Sequence, residues 1–172
     1  MTGRLRFRWC RFEELSRDDL YAVLALRQQV LVLEQSSPYA DLDFIDQRAD
    51  HLLVTDADDL IGYVRCHGPS ADKPYASFGR LVVAQARRGE ALGRELVRRA
   101  LSHLATRPCR DVEISAQLYL ENFYASFGFA RVSKPYDDTG ILHIDMRLTL
   151  RDPAYYERPE FEPARARRGG NP

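Results

Sequence analysis

The stretch LVVAQARRGEALGRELV, residues 81–97, joins a run of strand-forming residues to a helix-like segment through a basic loop that contains glycine. Leu81, Val82 and Val83 favour a strand, and the segment after the loop has its apolar residues on one face. A strand that enters a helix through such a loop leaves several backbone N–H groups at the helix start without partners. Together with the helix dipole, these groups form a site for an anion.

The composition of the loop suits a phosphate group. Gly89 and Gly93 permit close approach of a ligand to the backbone, and Arg87, Arg88 and Arg94 add positive charge. A diphosphate is therefore the natural ligand, although the loop alone is also compatible with ordinary helix capping. Nucleotide P-loops and dinucleotide folds are excluded, because the chain has neither GKS or GKT nor GxGxxG followed by an acidic strand end.

Length and composition indicate one ordinary globular domain. The chain has 172 residues, 45% apolar and 29% charged, and Lys+Arg and Asp+Glu balance at 25 each, which gives no indication of nucleic-acid or membrane binding. The N-terminus carries charges where a signal peptide needs an apolar stretch, so a cytoplasmic protein is expected. Cys10, Cys66 and Cys109 lack disulfide or metal spacing, so reduced packing residues and no metal site are expected.

Hydrophobic periodicity predicts the order β-α-loop-β-β-β-α-β-α-β-β, an α/β (α+β) fold with helices on both sides of a mixed, mostly antiparallel sheet. Predicted strands are 5–9, 51–55, 60–66, 77–84, 112–116, 129–132 and 144–150, and predicted helices are 16–34, 92–104 and 118–127. The loop after the first helix is expected to hold a short helical turn near residues 40–44. Residues 1–150 are predicted to be one domain, and the proline- and arginine-rich residues 151–172 a loosely held tail.

Four stretches, in order, resemble the GNAT superfamily of acyl-CoA-dependent N-acyltransferases, and more narrowly its ElaA-like branch. They are LYAVLALRQQVLVLEQSSPY (20–39), GRLVVAQARRGEALGREL (79–96), AQLYLENFYASFGF (116–129) and GILHIDM (140–146). The resemblance covers roughly residues 7–150 and leaves the tail outside. It implies the GNAT fold, in which splayed central strands form a slot for CoA, and the predicted element order agrees with that fold.

By that resemblance, the cofactor is acetyl-CoA. Its diphosphate is expected on the loop formed by Arg88, Gly89, Glu90, Ala91, Leu92, Gly93 and Arg94. Its pantetheine arm is expected along the backbone of Leu81, Val82 and Val83, with a side-chain hydrogen bond from Gln117 or Asn122. Gln117 is favoured because it lies just after a strand end.

One residue departs from the superfamily pattern. Ala91 stands at the first glycine position of Arg/Gln-x-x-Gly-x-Gly/Ala, as is common in the ElaA-like branch. If that position requires a positive φ, alanine there costs on the order of 1 kcal/mol.

The chemistry of acyl transfer assigns the next candidate. The reaction needs a deprotonated amine, a polarised thioester carbonyl and a proton for the departing thiolate. The resemblance places Tyr124 as the general acid, and a phenol with a pKa near ~10 is protonated at neutral pH. Without the resemblance, Tyr124 would be interpreted as a helix residue packed on the sheet.

The general base stays open at this point. The segment YASFGRLVV, residues 75–83, has no acidic residue, although many GNAT enzymes carry a glutamate there. The candidates are Glu34, Asp43, Asp46, His51 and His143. Glu34 leads because it begins the run EQSSPY, which with Tyr39 lies where GNAT enzymes form the acceptor pocket. His143 is second, because imidazole titrates near neutrality; all five also have ordinary structural interpretations.

Arg65 and Arg80 lie on successive predicted strands, where an unpaired guanidinium would be costly. One interpretation pairs them with Asp43, Asp46 or Glu113. The other has one of them bind a carboxylate on the acceptor.

The expected activity is direct transfer of an acetyl group from acetyl-CoA to the primary amine of a small molecule. A protein or peptide N-acetyltransferase is an alternative, which an open groove around residues 34–46 would indicate. A CoA-binding sensor with little catalysis is another, and Tyr124 argues against it. Net neutrality opposes nucleic-acid binding, and the frequency of homodimers in the superfamily leaves a homodimer open by analogy.

Overall fold

The N-terminal half of the fold is an antiparallel sheet of four strands. The computed structural model describes residues 5–158 of the chain. The strand order is β1-β2-β3-β4. These strands are β1 (Arg6–Arg11), β2 (Asp50–Asp56), β3 (Asp59–His67) and β4 (Ser77–Val83). β2 and β3 form the hairpin that the intervening aspartates predict, with Ala57 at φ 52° in the turn.

The C-terminal half is a second sheet, in the order β5-β8-β6, with β7 also paired to β8. Its strands are β5 (Asp111–Gln117), β6 (Ala130–Arg131), β7 (Tyr136–Asp138) and β8 (Ile141–Thr149). The sequence analysis missed β7. This strand is three residues long and has no apolar alternation, so only its antiparallel pairing with β8 across Thr139 and Gly140, both at positive φ, makes it a strand.

The two sheets meet at a single parallel bridge, between Ala76 and Val112. The N–H of Ala76 donates to the carbonyl of Asp111 at 3.0 Å, and the carbonyl of Ala76 accepts from the N–H of Glu113 at 2.9 Å. Among the residues described, β4 otherwise pairs only with β3, and β5 only with β8. The strands therefore splay apart beyond Ala76, as expected, and leave a cleft between them.

The first helix, α1 (Arg17–Arg27), begins at a side-chain cap. The N–H of Asp19 donates to Oγ of Ser16 at 3.0 Å, and the N–H of Ser16 donates back to Asp19 Oδ2 at 3.1 Å, a reciprocal pair that satisfies two otherwise free donors. The chain continues as a π-helix over Gln28–Glu34. The predicted helix thus ends at Glu34 as expected, but its last turns have the wider geometry that is often found at functional sites.

The second helix, α2 (Leu92–Ala105), has one fully apolar face, which packs in the main core. Its buried residues are Leu92, Leu96, Val97, Ala100, Leu101 and Leu104. The third helix, α3 (Glu121–Ala125), is shorter than predicted, because residues 118–120 form a 3₁₀ turn before it. Gly128, at φ 98°, ends this segment as the sequence predicts.

Two expectations about irregular segments need correction. The short helical turn in the long loop lies at Asp46–Arg48, not near residues 40–44. Residues 151–158 are also not loosely held, because Pro153–Glu157 form a 3₁₀ turn and the Tyr156 ring is 1% exposed in the core beside α2. Its hydroxyl accepts from the N–H of Arg151 at 3.1 Å. The rest of the predicted tail, from residue 159, lies outside the described residues.

Candidate active site

The cleft between β4 and β5 has a volume of about 960 Å³. It brings together most of the residues that the sequence predicts for the site. Those that line it are Glu34, Tyr39, Arg65, Arg80, Leu81, Val82, Val83, Arg88, Gly89, Ala91, Leu92, Gly93, Arg94, Gln117, Tyr124 and His143. The structure does not place Glu90 or Asn122 in the wall of the cleft: Glu90 pairs with Arg87, and Asn122 is exposed on α3.

A β-bulge in β4 shapes the cleft. Tyr63 pairs with Val82 while Arg65 pairs with Gly79, so β4 has one extra residue at this point. Arg80 lies in the bulge with φ 53°, a conformation that costs energy for any residue with a side chain. Beyond the bulge, residues 81–83 pair with β3 on one side only, so the other edge of this backbone is available to a ligand that hydrogen-bonds like a strand.

The loop between β4 and α2 has the geometry of an anion site. Gly89 and Ala91 both have positive φ, 84° and 61°. Ala91 is the N-cap of α2, and no side chain caps this helix start. The first N–H groups of α2 therefore have no intrahelical partner and remain available to an anion at the positive end of the helix dipole. The position of Ala91 does require the strained conformation that the sequence analysis considered.

The three arginines of this loop, Arg87, Arg88 and Arg94, differ in the number of carboxylates that they contact. Arg87 donates to Asp56 at 2.6 Å and to Glu90 at 2.8 Å, so two carboxylates neutralise it. Arg94 has neutral partners, Oγ of Ser126 at 2.9 Å and the ring of Phe127, whose centroid lies 4.6 Å from its guanidinium carbon.

Arg88 has one carboxylate partner. Its Nη2 lies 2.5 Å from Oε2 of Glu34, and its Nε donates to the carbonyl of Val83 at 3.3 Å. Among residues 5–158, no carboxylate pairs with Arg94, so its positive charge is the one of this loop that these residues leave unbalanced.

Tyr124 lies at the inner wall of the cleft. It is 8% exposed and packs edge-on against Phe123 and Phe129. Its hydroxyl makes no hydrogen bond to the residues that the structure describes. Burial, with a smaller contribution from Tyr119, raises the pKa of Tyr124 to about 12. The phenol therefore keeps its proton at neutral pH and can donate it.

Gln117, at the end of β5, contacts the opposite half of the molecule. Its Nε2 donates to Oε1 of Gln35 at 2.9 Å, and its Oε1 accepts from the hydroxyl of Tyr119 at 2.5 Å. Ser37, two residues after Gln35, donates from its Oγ to the carbonyl of Thr139 at 3.0 Å. We call residues 34–37 the strap, because they join the N-terminal half to β5 and to the β7–β8 turn across the cleft.

His51 is a core residue. It is 1% exposed; its Nε2 lies 3.0 Å from the carbonyl of Asp46 and its Nδ1 lies 2.7 Å from the hydroxyl of Tyr63. Because a carbonyl can only accept, Nε2 carries the proton and Nδ1 accepts from Tyr63. Burial lowers the pKa of His51. Both ring nitrogens are occupied within the core, so the structure removes His51 from the candidates for the base.

His143 is differently placed. It lies on β8 opposite Gln117 and lines the cleft. Its Nδ1 lies 2.9 Å from the carbonyl of Ile141, so Nδ1 carries the proton of the neutral ring. Nε2 then has a free lone pair and no partner among the described residues, which is the tautomer that a general base requires.

Three arginines and three aspartates form a closed ring of ion pairs at the loop that follows the strap. Each arginine bridges two aspartates: Arg27 contacts Asp41 and Asp46, Arg65 contacts Asp43 and Asp46, and Arg80 contacts Asp41 and Asp43, with N–O distances of 2.6–3.2 Å. The ring fixes the loop that follows the strap onto α1, β3 and β4.

The ring of ion pairs contains four of the residues that the sequence suggested for the site, Arg65, Arg80, Asp43 and Asp46. Arg65 and Arg80 pair with aspartates of the loop, as the first interpretation predicts, whereas Glu113 pairs with Arg147. Burial alone would raise the pKa of Asp43, but the hydrogen bonds from Arg65 outweigh it and hold that pKa well below its usual range. Asp43 and Asp46 are therefore poor candidates for a base.

Two members of the ring were missed by the sequence analysis. Arg27 and Asp41 were not among the candidate residues. The available signal was an arginine among the apolar positions of the predicted first helix, together with the spacing of aspartates in DLDFID.

Tyr39 connects the ring to the cleft. Its hydroxyl donates to Asp41 at 3.0 Å, and its ring centroid lies 5.4 Å from the guanidinium carbon of Arg80. The Nε of Arg80 lies 2.7 Å from Asp41 but at an angle that forms no hydrogen bond. Its Nη2 donates to the carbonyl of Asp41 and to Oδ2 of Asp43, both at 3.2 Å.

With this geometry established, comparison with known proteins identifies the family. Residues 22–150 match the acetyltransferase (GNAT) domain family. The chain belongs to this family. A UPF0039 protein of Synechocystis sp. is 41% identical over 144 residues, which are 83% of this chain and 94% of that protein. Protein ElaA of Escherichia coli is 40% identical over 136 residues, 77% of this chain and 89% of that protein.

Solved structures support the same family assignment. The crystal structure of an acyl-CoA N-acyltransferase from Pseudomonas aeruginosa superposes with a TM-score of 0.80 at 33% identity, and that of Escherichia coli ElaA with a TM-score of 0.78 at 36% identity. Each comparison covers 84% of this chain and 99% of the other. The GNAT fold, the ElaA-like relationship and the assignment as an acyltransferase are thereby confirmed. Within residues 5–158, no helix has the length and apolar character to cross a membrane.

Proposed function

We propose that this GNAT acyltransferase moves an acetyl group from acetyl-CoA to the primary amine of a small molecule by direct transfer. The observation that carries the proposal is the cleft, which combines an uncapped helix start, an unpaired backbone edge and a protonated tyrosine. Acetyl-CoA has three matching parts: a diphosphate, a pantetheine arm with two amides, and a thioester.

The residues of the cleft fit these three parts in order. The N–H groups of residues 89–94 and the charge of Arg94 would hold the diphosphate. The open edge of residues 81–83 would pair with the pantetheine amides, and a backbone N–H of this segment would polarise the thioester carbonyl. Gln117, which already hydrogen-bonds Gln35, would contact the same arm.

Tyr124 and His143 supply the proton transfers in this scheme. His143 accepts a proton from the acceptor ammonium at Nε2, which frees the nitrogen lone pair. The amine nitrogen then bonds to the thioester carbonyl carbon, the carbon–sulfur bond breaks, and the nitrogen gives up its second proton to water, so that the product is a neutral amide. Tyr124 donates its phenolic proton to the departing thiolate and regains a proton from solvent; the phenol is protonated at neutral pH with or without the rise in its pKa.

We favour His143 over Glu34 as the base. The free Nε2 of His143 needs no rearrangement to accept a proton, whereas Glu34 first has to leave Arg88.

The strap favours a small acceptor over a protein or peptide. Gln35 and Ser37 hydrogen-bond the opposite half of the molecule, so the segment that begins at Glu34 crosses the cleft. An extended peptide would have to displace both contacts. Tyr124 and the lone pair of His143 argue against a sensor without catalysis, which would need neither.

A thiol-release assay tests the proposal. Acetyl-CoA is incubated with the protein and a panel of small amines, amino acids and short peptides, and longer acyl-CoAs are tested in parallel. A small primary amine is expected to accelerate thiol release most with acetyl-CoA. Faster turnover of a peptide would support the alternative acceptor class, and faster turnover of a long acyl-CoA would contradict the acetyl assignment.

A further inference from the structure

We propose that the diphosphate of CoA and the carboxylate of Glu34 compete for Arg88, so that CoA binding releases Glu34 to bind the ammonium group of the acceptor. The inference rests on the proposed function, because it takes the loop at residues 88–94 as the diphosphate site. It goes further in assigning an order of binding and a new partner to two residues of the cleft.

The ion pair lies across the cleft that both substrates would share. Glu34 is the last residue of the π-helix and the first of the strap, whereas Arg88 belongs to the loop before α2. Their side chains meet at 2.5 Å although 54 positions separate them in the chain, and both line the cleft. The pair therefore links the acceptor side of the site to the diphosphate side.

Arg88 is the loop arginine best suited to exchange its partner. Arg87 is held by two carboxylates. Arg88 has a single carboxylate contact and a side chain that is 46% exposed, a class of ion pair that contributes little to stability. A diphosphate offers more negative charge and several oxygens to the planar guanidinium, which binds such groups in pairs of parallel hydrogen bonds. The uncapped N–H groups of the same loop add further attraction.

Loss of Arg88 leaves Glu34 as a carboxylate in the wall of the cleft without a cation among its described partners. The acceptor ammonium is the cation that enters this part of the cleft. A cation site for the acceptor thus forms only after the diphosphate has bound, and by linkage the acceptor strengthens CoA binding to the same extent.

Calorimetric titration of two ligands tests the exchange. CoA and pantetheine, which lacks the diphosphate, are titrated into wild type, Glu34→Gln and Glu34→Ala. Removing the competing carboxylate is expected to tighten CoA binding about two- to fivefold at low salt, the range of an exposed ion pair. Pantetheine affinity is expected to stay unchanged, and the gain for CoA is expected to shrink at about 0.5 M salt.

Two controls separate the exchange from a general effect of charge. Glu121 forms a surface ion pair with Arg131 outside the cleft, so Glu121→Gln is expected to leave CoA affinity unchanged. In an Arg88→Gln background, Glu34→Gln is expected to bring no further gain, because the partner of the exchange is absent.

Any other result contradicts the exchange between Glu34 and the diphosphate, and the pattern of CoA binding shows whether the proposed function fails as well. If wild type binds CoA but the Glu34 variants bind it no more tightly, the exchange is wrong while the proposed function stands. An equal gain for pantetheine, or a gain that persists without Arg88, also contradicts it. If neither wild type nor any variant binds CoA, the proposed function fails and the inference fails with it.

Discussion

The guanidinium of Arg65 binds both carboxylate oxygens of Asp43, at 2.7 and 2.6 Å. The same guanidinium reaches Asp46 at 2.9 Å, and Asp46 in turn accepts from Arg27 at 2.8 Å. Such a bidentate pair restricts orientation as well as distance. The ring of three arginines and three aspartates therefore fixes the loop that borders the acceptor end of the cleft, and its loss should affect both stability and the site.

Asp46→Asn is expected to lower the free energy of unfolding by about 3 kcal/mol or more. Asp46 is 6% exposed and serves two arginines, so neutralising it leaves buried positive charge without compensation. Urea denaturation measures the change. Asp58→Asn, on the exposed turn between β2 and β3, is the matched control and should change stability by less than about 0.5 kcal/mol. Equal effects of the two variants would contradict the structural importance of the ring.

The pH dependence of stability should reflect Asp43. Its pKa is lowered in the folded protein, so the unfolded state binds the proton more readily. The stabilisation is fully present above the unfolded pKa, about 3.9, and is lost as the pH falls from there towards the folded pKa. Unfolding free energies measured from pH 7 down to about pH 2 should fall less steeply for Asp43→Asn than for wild type. Parallel curves would show that Asp43 is not the group responsible.

Ala91→Gly should stabilise the protein by about 0.5–1 kcal/mol. Ala91 has φ 61°, which an alanine adopts at a cost and a glycine adopts freely, although glycine also gains entropy in the unfolded state. Ala25→Gly, at an exposed position inside α1, is the matched control and should destabilise by about 1 kcal/mol. Thermal denaturation gives the sign directly. A lower melting temperature for Ala91→Gly would mean that the loop has another conformation.

Much of the fold could be predicted from the sequence, because local sequence signals agreed with tertiary packing. Ser16, at the start of the predicted first helix, is the cap of α1, and the apolar face of the segment after the loop predicted α2, which packs in the core. The loop of residues 88–94 was predicted to be an anion site from its glycines and its position before a helix, and this assignment stays a prediction.

The features that were not predicted from the sequence depend on contacts between residues that are distant in the chain. The partners of Arg27 come from a loop 14 to 19 positions away, and no periodicity reveals them. β7 exists through its pairing with β8. The burial of Tyr156 likewise depends on contacts with the core beside α2. The proline-rich composition of residues 151–172 had indicated a loosely held tail instead. Asn122 does not line the cleft, and it is exposed on α3.

His143→Gln and Glu34→Gln should separate the roles of the two candidates for the base. If Nε2 of His143 accepts the proton, His143→Gln lowers kcat about a hundredfold or more. Glu34→Gln should instead raise KM for the amine with kcat nearly retained, since it removes a binding charge. Steady-state kinetics with the most active amine of the panel measure both parameters. The reverse pattern would make Glu34 the base.

The most direct test of the account is the effect of Tyr124→Phe on amine-dependent thiol release from acetyl-CoA, measured beside CoA binding by calorimetry. The variant removes only the hydroxyl and leaves the packing against Phe123 and Phe129. We expect turnover to fall about a hundredfold or more while the Kd for CoA changes little, because the phenol acts on the leaving thiolate. Unchanged turnover with intact CoA binding would contradict the assignment of Tyr124 as the general acid.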